Sequence, residues 1–143
     1  GKAVYGAISS PGHSPAALTV GAVNFKGTNG RGDDSVTNFS SRGPTRAFLD
    51  MGTWKWYDNI VKPDLVAPGN KIVGANATSA SPQLPAKSTL ATSYPALVSA
   101  AGGPNTYAQG LIQLSGTSVA APVVAGAVAL LYASRRLAKT DVA

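Results

Sequence analysis

Residues 114–122 read Leu-Ser-Gly-Thr-Ser-Val-Ala-Ala-Pro, and small and apolar residues continue without a break to Ala133. This stretch constrains the fold more than any other. A glycine-containing turn hands over to a helix expected from Thr117 or Ser118 to about Leu137. Val119, Val123, Val124, Ala127, Val128, Leu130 and Leu131 surround that helix on nearly every face, the pattern of a helix buried in a larger core. Pro122 is expected in the first turn, where a missing N–H costs nothing. Gly126 and the alanines suit close approach of neighbouring backbones. Ser118 stands at the handover, beside unpaired backbone N–H groups and the positive end of the helix dipole. A nucleophilic oxygen and a developing oxyanion both need that environment. An N-cap role for Thr117 or Ser118 fits the same local pattern, and the local pattern leaves both open.

Three further blocks accompany this one in order. They are Ser10-Pro11-Gly12-His13-Ser14-Pro15-Ala16-Ala17-Leu18-Thr19-Val20-Gly21-Ala22, Phe39-Ser40-Ser41-Arg42-Gly43-Pro44 and Lys62-Pro63-Asp64-Leu65-Val66-Ala67-Pro68-Gly69. The first resembles the segment that runs into a core strand in the subtilisin-like serine peptidases (subtilases). The second resembles their Phe-Ser-Ser-x-Gly motif and the third their Lys-Pro-Asp-x-x-Ala-Pro-Gly signature. Residues 116–122 resemble their Gly-Thr-Ser-Met-Ala-x-Pro active-site motif. Together the four blocks, with the helix that follows the last, span about residues 8–132.

The resemblance implies an α/β fold, part of a subtilisin-like three-layer architecture with parallel strands and a buried helix after the nucleophile. It implies Ser118 as the catalytic nucleophile of a serine endopeptidase. It also implies that Ser9, Ser10, Pro11 and Gly12 help to form the specificity pocket, with Thr117 beside them packing or adding a hydrogen bond. The family often has a cis X-Pro bond in that turn, which makes Ser10–Pro11 the candidate. Val119 replaces the family's usual methionine, which removes an oxidisable thioether next to the site.

The family's triad runs Asp, His, Ser along the chain. The one histidine here is His13, and no acidic residue precedes Asp33. An Asp-then-His arrangement upstream of Ser118 is therefore impossible within these residues. His13 lacks the Gly-Thr that follows the family's catalytic histidine, and reads as a turn residue. The family's oxyanion-hole asparagine is absent too. The expectation is the C-terminal half of a subtilase catalytic domain, incomplete as a domain and inactive alone.

Composition agrees. Hydrophobic residues make up 44% and charged residues 13%, against about a quarter charged in ordinary soluble domains. Apolar surface left in water forfeits about 25 cal/mol per Å², so the chain is expected to need a cover, either an N-terminal half or a second copy. The net charge of +6 is scattered, with one basic cluster at residues 135–139. No basic stripe interleaves with aromatics, which argues against nucleic acid as a partner. The apolar run 119–133, interrupted by Pro122 and Gly126, reads as too short for a membrane span. There is no cysteine, so thiols say nothing about compartment. An extracytoplasmic location follows from the resemblance alone. A polypeptide is the expected substrate.

Residues 16–23 read as a strand buried on both faces, as in a parallel sheet. Residues 65–67 and 71–75 read as strands around the Pro68-Gly69 turn, with 111–114 pairing antiparallel to 71–75. Residues 45–61, carrying Trp54, Trp56 and Tyr57, read as a surface insertion whose aromatics pack locally. Residues 76–106 read as a second, longer excursion with a short helix near 94–101. No metal cluster stands out. Calcium is a candidate structural ion at Asp33-Asp34, although adjacent acids in a glycine-rich loop are ordinarily just solvated. A subtilase-like module used for binding or assembly is the alternative to a peptidase.

Overall fold

The computed structural model describes residues 4–77, 88–99, 101 and 110–140, with side chains of the last helix described to Arg135. Two compact units emerge. Residues 1–70 and 116–143 make the first, and residues 71–115 make the second.

The first unit is built on β1 (Val20–Asn24). It pairs parallel with β5 (Leu65–Pro68), Val20 opposite Leu65 and Val23 opposite Pro68. On its other edge it pairs antiparallel with the two-residue β2 (Ser35–Val36). The parallel pairing matches the reading of the sequence; the antiparallel edge makes the sheet mixed. β1 starts later than residue 16 for a local reason. Hydrogen bonds from the Ser14 N–H to Pro11 O and from the Ala17 N–H to Ser14 O fold residues 11–17 into turns. The Thr19 N–H is then taken by a carboxylate oxygen of Asp64 at 2.7 Å, so ladder pairing begins at Val20. β5 is not covered on both sides, since Leu65 and Val66 are exposed.

The core of this unit is small. Ala22, Ala67 and Ala120 are buried against one another, with Val20 and Val124 packed around them. Side chains this small let the helix lie close on the sheet. Two glycines carry the closest approaches. A Cβ on Gly69 would stand 2.7 Å from the Ala22 Cβ and 2.9 Å from the Gly116 carbonyl oxygen, and one on Gly43 would collide with the Lys62 carbonyl. Two side chains replace ladder partners in the interior. Ser40, 3% exposed, accepts the Ala22 N–H at 3.0 Å, and the Thr37 hydroxyl donates to the Ala22 carbonyl at 3.2 Å. The Phe-Ser-Ser-x-Gly block therefore caps the edge of β1.

Residues 45–61 form a hairpin, β3 (Phe48–Asp50) with β4 (Lys55–Tyr57), Leu49 opposite Trp56. Local aromatic packing is confined to Phe48 and Tyr57, whose ring centroids are 5.7 Å apart, and to the Lys55 ammonium over Phe48. Trp54 and Trp56 stay exposed, so the expectation that the aromatics pack together holds for one pair only.

In the second unit β6 (Ile72–Ala75) pairs antiparallel with β7 (Leu111–Leu114), Ile72 opposite Leu114 and Ala75 opposite Leu111, as read from the sequence. Two short helices, α1 (Thr89–Ser93) and α2 (Pro95–Ser99), replace the one expected near 94–101. The Ser88 side chain caps α1 by accepting the Ala91 N–H. Pro95 then opens α2, at the position where its missing N–H and fixed φ are favourable. Ala91, Val98 and Ile112 form this unit's buried cluster. The rest of the excursion read at 76–106 lies outside the described residues.

The last element, α3 (Thr117–Thr140), is longer than expected and passes through Pro122. That proline falls in the second turn, not the first, as the sixth residue counted from Thr117. Its ring nitrogen gives the Ser118 carbonyl no intrahelical donor. The expected burial is also corrected. Ala120 is fully buried, yet Leu130 is 74% exposed, Tyr132 69% and Leu131 64%. Among the described residues, nothing beyond the helix's own neighbouring backbone lies within 4 Å of where a Gly126 Cβ would sit, so no other described segment approaches there. The physical reason is that β1 and β5 offer only enough surface to cover the first turns. The apolar run 119–133 sits inside a longer helical stretch that meets the length and composition of a membrane span. Thr117–Arg135, 19 residues at mean hydropathy 1.6, is long and apolar enough to cross one. A core helix of a soluble protein meets the same criterion.

Candidate active site

Ser118 is the second residue of α3 and is exposed. The turn before it is held from both sides. The Gly116 N–H donates to the Gly69 carbonyl at 2.8 Å, while the Gly116 carbonyl accepts the N–H groups of Val119 and Ala120 at 3.1 and 3.2 Å. These bonds, with Ala120 buried on Ala22 and Ala67, fix the first turn of the helix on the ends of β1 and β5. The nucleophile candidate thus sits on rigid backbone, at the positive end of a long helix.

Beside it lies a cleft of about 270 Å³. Thr117 forms one part of its lining, and Ser9 and Gly12 another, so three of the residues expected to contact substrate come together. Ser10 and Pro11 do not line it. They make the turn between Ser9 and Gly12, with the Ser10–Pro11 bond cis as expected. His13 does not line it either. Ile8, Thr19, Val20, Gly21, Ser41 and Pro63 complete the described walls. No titratable side chain is among them. The described lining is neutral and mixes polar with apolar residues.

Sequence reading missed Thr19, Ser41 and Pro63 as wall residues. Each lies inside one of the recognised blocks, so position within a motif was the available signal. Hydrogen bonds explain why the blocks meet here. Asp64 accepts the Thr19 N–H, and the Thr19 hydroxyl donates to the Gly12 carbonyl at 2.6 Å. Lys62, 4% exposed, donates through Nζ to the Ala17 carbonyl at 2.7 Å and to Asp64 at 2.8 Å. The Lys62 hydrogen bond, followed by that from the Thr19 backbone, holds the Asp64 carboxyl below its usual range. The Lys-Pro-Asp block is therefore an internal strut for the cleft.

The subtilase family profile matches residues 5–140. The chain belongs to that family. Among curated proteins, this subtilase chain is 33% identical over 125 residues to serine protease AprX of Bacillus subtilis, covering 87% of the chain and 22% of that protein. It is 31% identical over 130 residues to subtilisin-like protease SBT6.1 of Arabidopsis thaliana, covering 90% of the chain and 8% of that protein. Against the membrane-bound transcription factor site-1 protease of Mus musculus it is 30% identical over 131 residues, covering 92% of the chain and 8% of that protein. The chain thus spans less than a quarter of the length of these relatives. No solved structure matches it.

At the loop suggested for calcium, the Asp33 carboxylate accepts from the Thr28 hydroxyl at 2.9 Å and Asp34 pairs with Arg31 at 3.5 Å. Among the described residues, no three His, Asp or Glu side chains are grouped as metal ligands.

Proposed function

We propose that this subtilase chain supplies the nucleophile and part of the substrate cleft of a serine endopeptidase, and that it works joined to a segment bearing the histidine, aspartate and oxyanion asparagine. The observation that carries this reading is the exposed Ser118 at the start of α3, next to a neutral cleft lined by Thr117, Ser9 and Gly12. In the joined site, the Ser118 oxygen attacks the scissile carbonyl carbon and its proton passes to the histidine. The C–N bond then breaks, the amine leaves with that proton, and water hydrolyses the acyl ester by the same route. The aspartate fixes the histidine tautomer. The Ser118 N–H and the asparagine side chain stabilise the oxyanion, a side-chain donor worth about 10²–10³ in turnover in subtilisin. Structural calcium remains an optional part of this reading. The uncovered outer face of α3 supports the need for a cover, either the N-terminal half of the domain or a second copy. That the helix begins inside the serine motif and packs its first turns on a sheet favours a protein cover over a membrane.

A fluorophosphonate probe tests the proposal. Ser118 should be labelled when the complementary segment is present, and not in the chain alone or in Ser118→Ala. A folded complex that stays unlabelled would overturn it and favour a binding or assembly module.

A further inference from the structure

We propose that Thr19 is a positioning residue for the substrate cleft, holding the Gly12 wall in place through a hydrogen-bond relay anchored on Lys62. The inference rests on the reading of the cleft as a substrate site.

Thr19 lines the cleft and is tied at three atoms. Its N–H donates to Asp64 Oδ2 at 2.7 Å, its carbonyl accepts the Asp64 N–H at 2.9 Å, and its hydroxyl donates to the Gly12 carbonyl at 2.6 Å. Asp64 is held by the buried Lys62 ammonium, which also grips the Ala17 carbonyl. The next residue, Val20, begins β1, whose register with β5 is fixed. The anchored end of the relay is therefore rigid. The free end is the turn 9–14, an exposed or half-exposed segment whose internal hydrogen bond from Ser14 N–H to Pro11 O does not fix its distance from the sheet. Thr19 Oγ1 supplies that tie. The Thr19 methyl leaves little room on the same side: a Cβ placed on Gly12 would stand 3.3 Å from Thr19 Cγ2, so a side chain at 12 would crowd it. A hydroxyl on an otherwise β-branched apolar shape is what the position requires, one polar tie and one packed methyl.

Thr19→Val keeps the shape and removes the donor, leaving the Gly12 carbonyl without it. In the enzyme joined to its complementary segment, KM should rise by up to about tenfold, the size of one lost hydrogen bond. The rise should appear for peptides with a large side chain at the residue donating the scissile carbonyl, and not for peptides with glycine there. The turnover number and the rate of fluorophosphonate labelling should stay at the wild-type level, because neither depends on filling the cleft. Thr19→Ser, which restores the hydroxyl, should recover most of the KM. An unchanged KM, an equal loss for both peptides, or no recovery in Thr19→Ser would overturn the positioning role. A wild-type complex that never labels would instead remove the peptidase reading, and this inference with it.

Discussion

The first turns of α3 and its stretch at residues 130–132 have the same apolar character and opposite surroundings. At the first turns, Ala120 is fully buried and Val124 packs on the cluster of Ala22 and Ala67. Two turns further on, Leu130, Leu131 and Tyr132 are each more than 60% exposed. Large apolar side chains thus lie where nothing covers them, and the smallest lie where the sheet is closest. The pattern is sensible for a helix fitted to two surfaces. Small residues set the distance between the serine turn and β1–β5, and large ones leave apolar area in water that covering would make worth about 25 cal/mol per Å². One stretch holds the serine turn on the sheet; the other is uncovered.

The largest expected effect lies at the packed end. With the complementary segment supplied, Ser118→Ala should lower peptide hydrolysis by on the order of 10⁶-fold. Its melting temperature should hardly move, because an exposed side chain away from any buried contact changes stability by less than about 0.5 kcal/mol. Hydrolysis within tenfold of wild type would place the nucleophile elsewhere.

Gly69→Ala and Gly126→Ala sharpen the contrast by making the same change at two glycines. The new methyl at 69 meets Ala22, Gly116 O and Ala120 within 3.1 Å. Overpacking of that kind costs about 1–3 kcal/mol, read as a lower denaturant midpoint, and should also slow labelling of Ser118 by shifting the turn at Gly116. At 126 the methyl meets nothing within 4 Å. Helix propensity alone then applies, and stability should rise by about 0.5–1 kcal/mol. Equal effects at both sites would erase the distinction between the ends.

The packed end also carries a pH dependence. Asp64 is held below its ordinary value of 3.8 by Lys62 and by the Thr19 backbone. A carboxyl depressed in the folded state adds stability that is complete above its unfolded value. The stability is lost as pH falls below 3.8 and through the lower folded value. Thermal unfolding followed into acid should show that loss, and Asp64→Asn should flatten it while lowering stability at neutral pH. A wild-type curve unchanged by Asp64→Asn would remove the strut role.

Much of the fold was legible in the sequence. The β6–β7 pairing and the parallel character of β1 followed from apolar runs and turn signals, whereas the cis Ser10–Pro11 bond and the grouping of Ser9, Gly12 and Thr117 followed from the family resemblance. Motif residues are locally constrained, so short stretches carry their own geometry. What did not follow was set by neighbours. The start of β1 moved because an Asp64 oxygen takes the Thr19 N–H, a contact across 45 residues. The exposure of the outer helix was illegible because an all-round apolar pattern states a requirement for cover without saying what provides it. Thr19 escaped notice because a threonine in an apolar run looks like a strand residue until its hydroxyl is seen on Gly12.

The smallest expected effect, at the open end of α3, tests the comparison most directly. Leu130→Gln removes an apolar side chain that is 74% exposed and substitutes a good helix former. In the chain alone its unfolding free energy should change by less than about 0.5 kcal/mol, and apolar-dye binding should fall. With the complementary segment present, the same substitution should weaken association and slow labelling of Ser118 at limiting concentration, because it takes apolar area out of the joint. A leucine already covered within this chain would behave otherwise: its loss would cost stability on the scale of Gly69→Ala before any partner was added, and the two ends of the helix would then be alike.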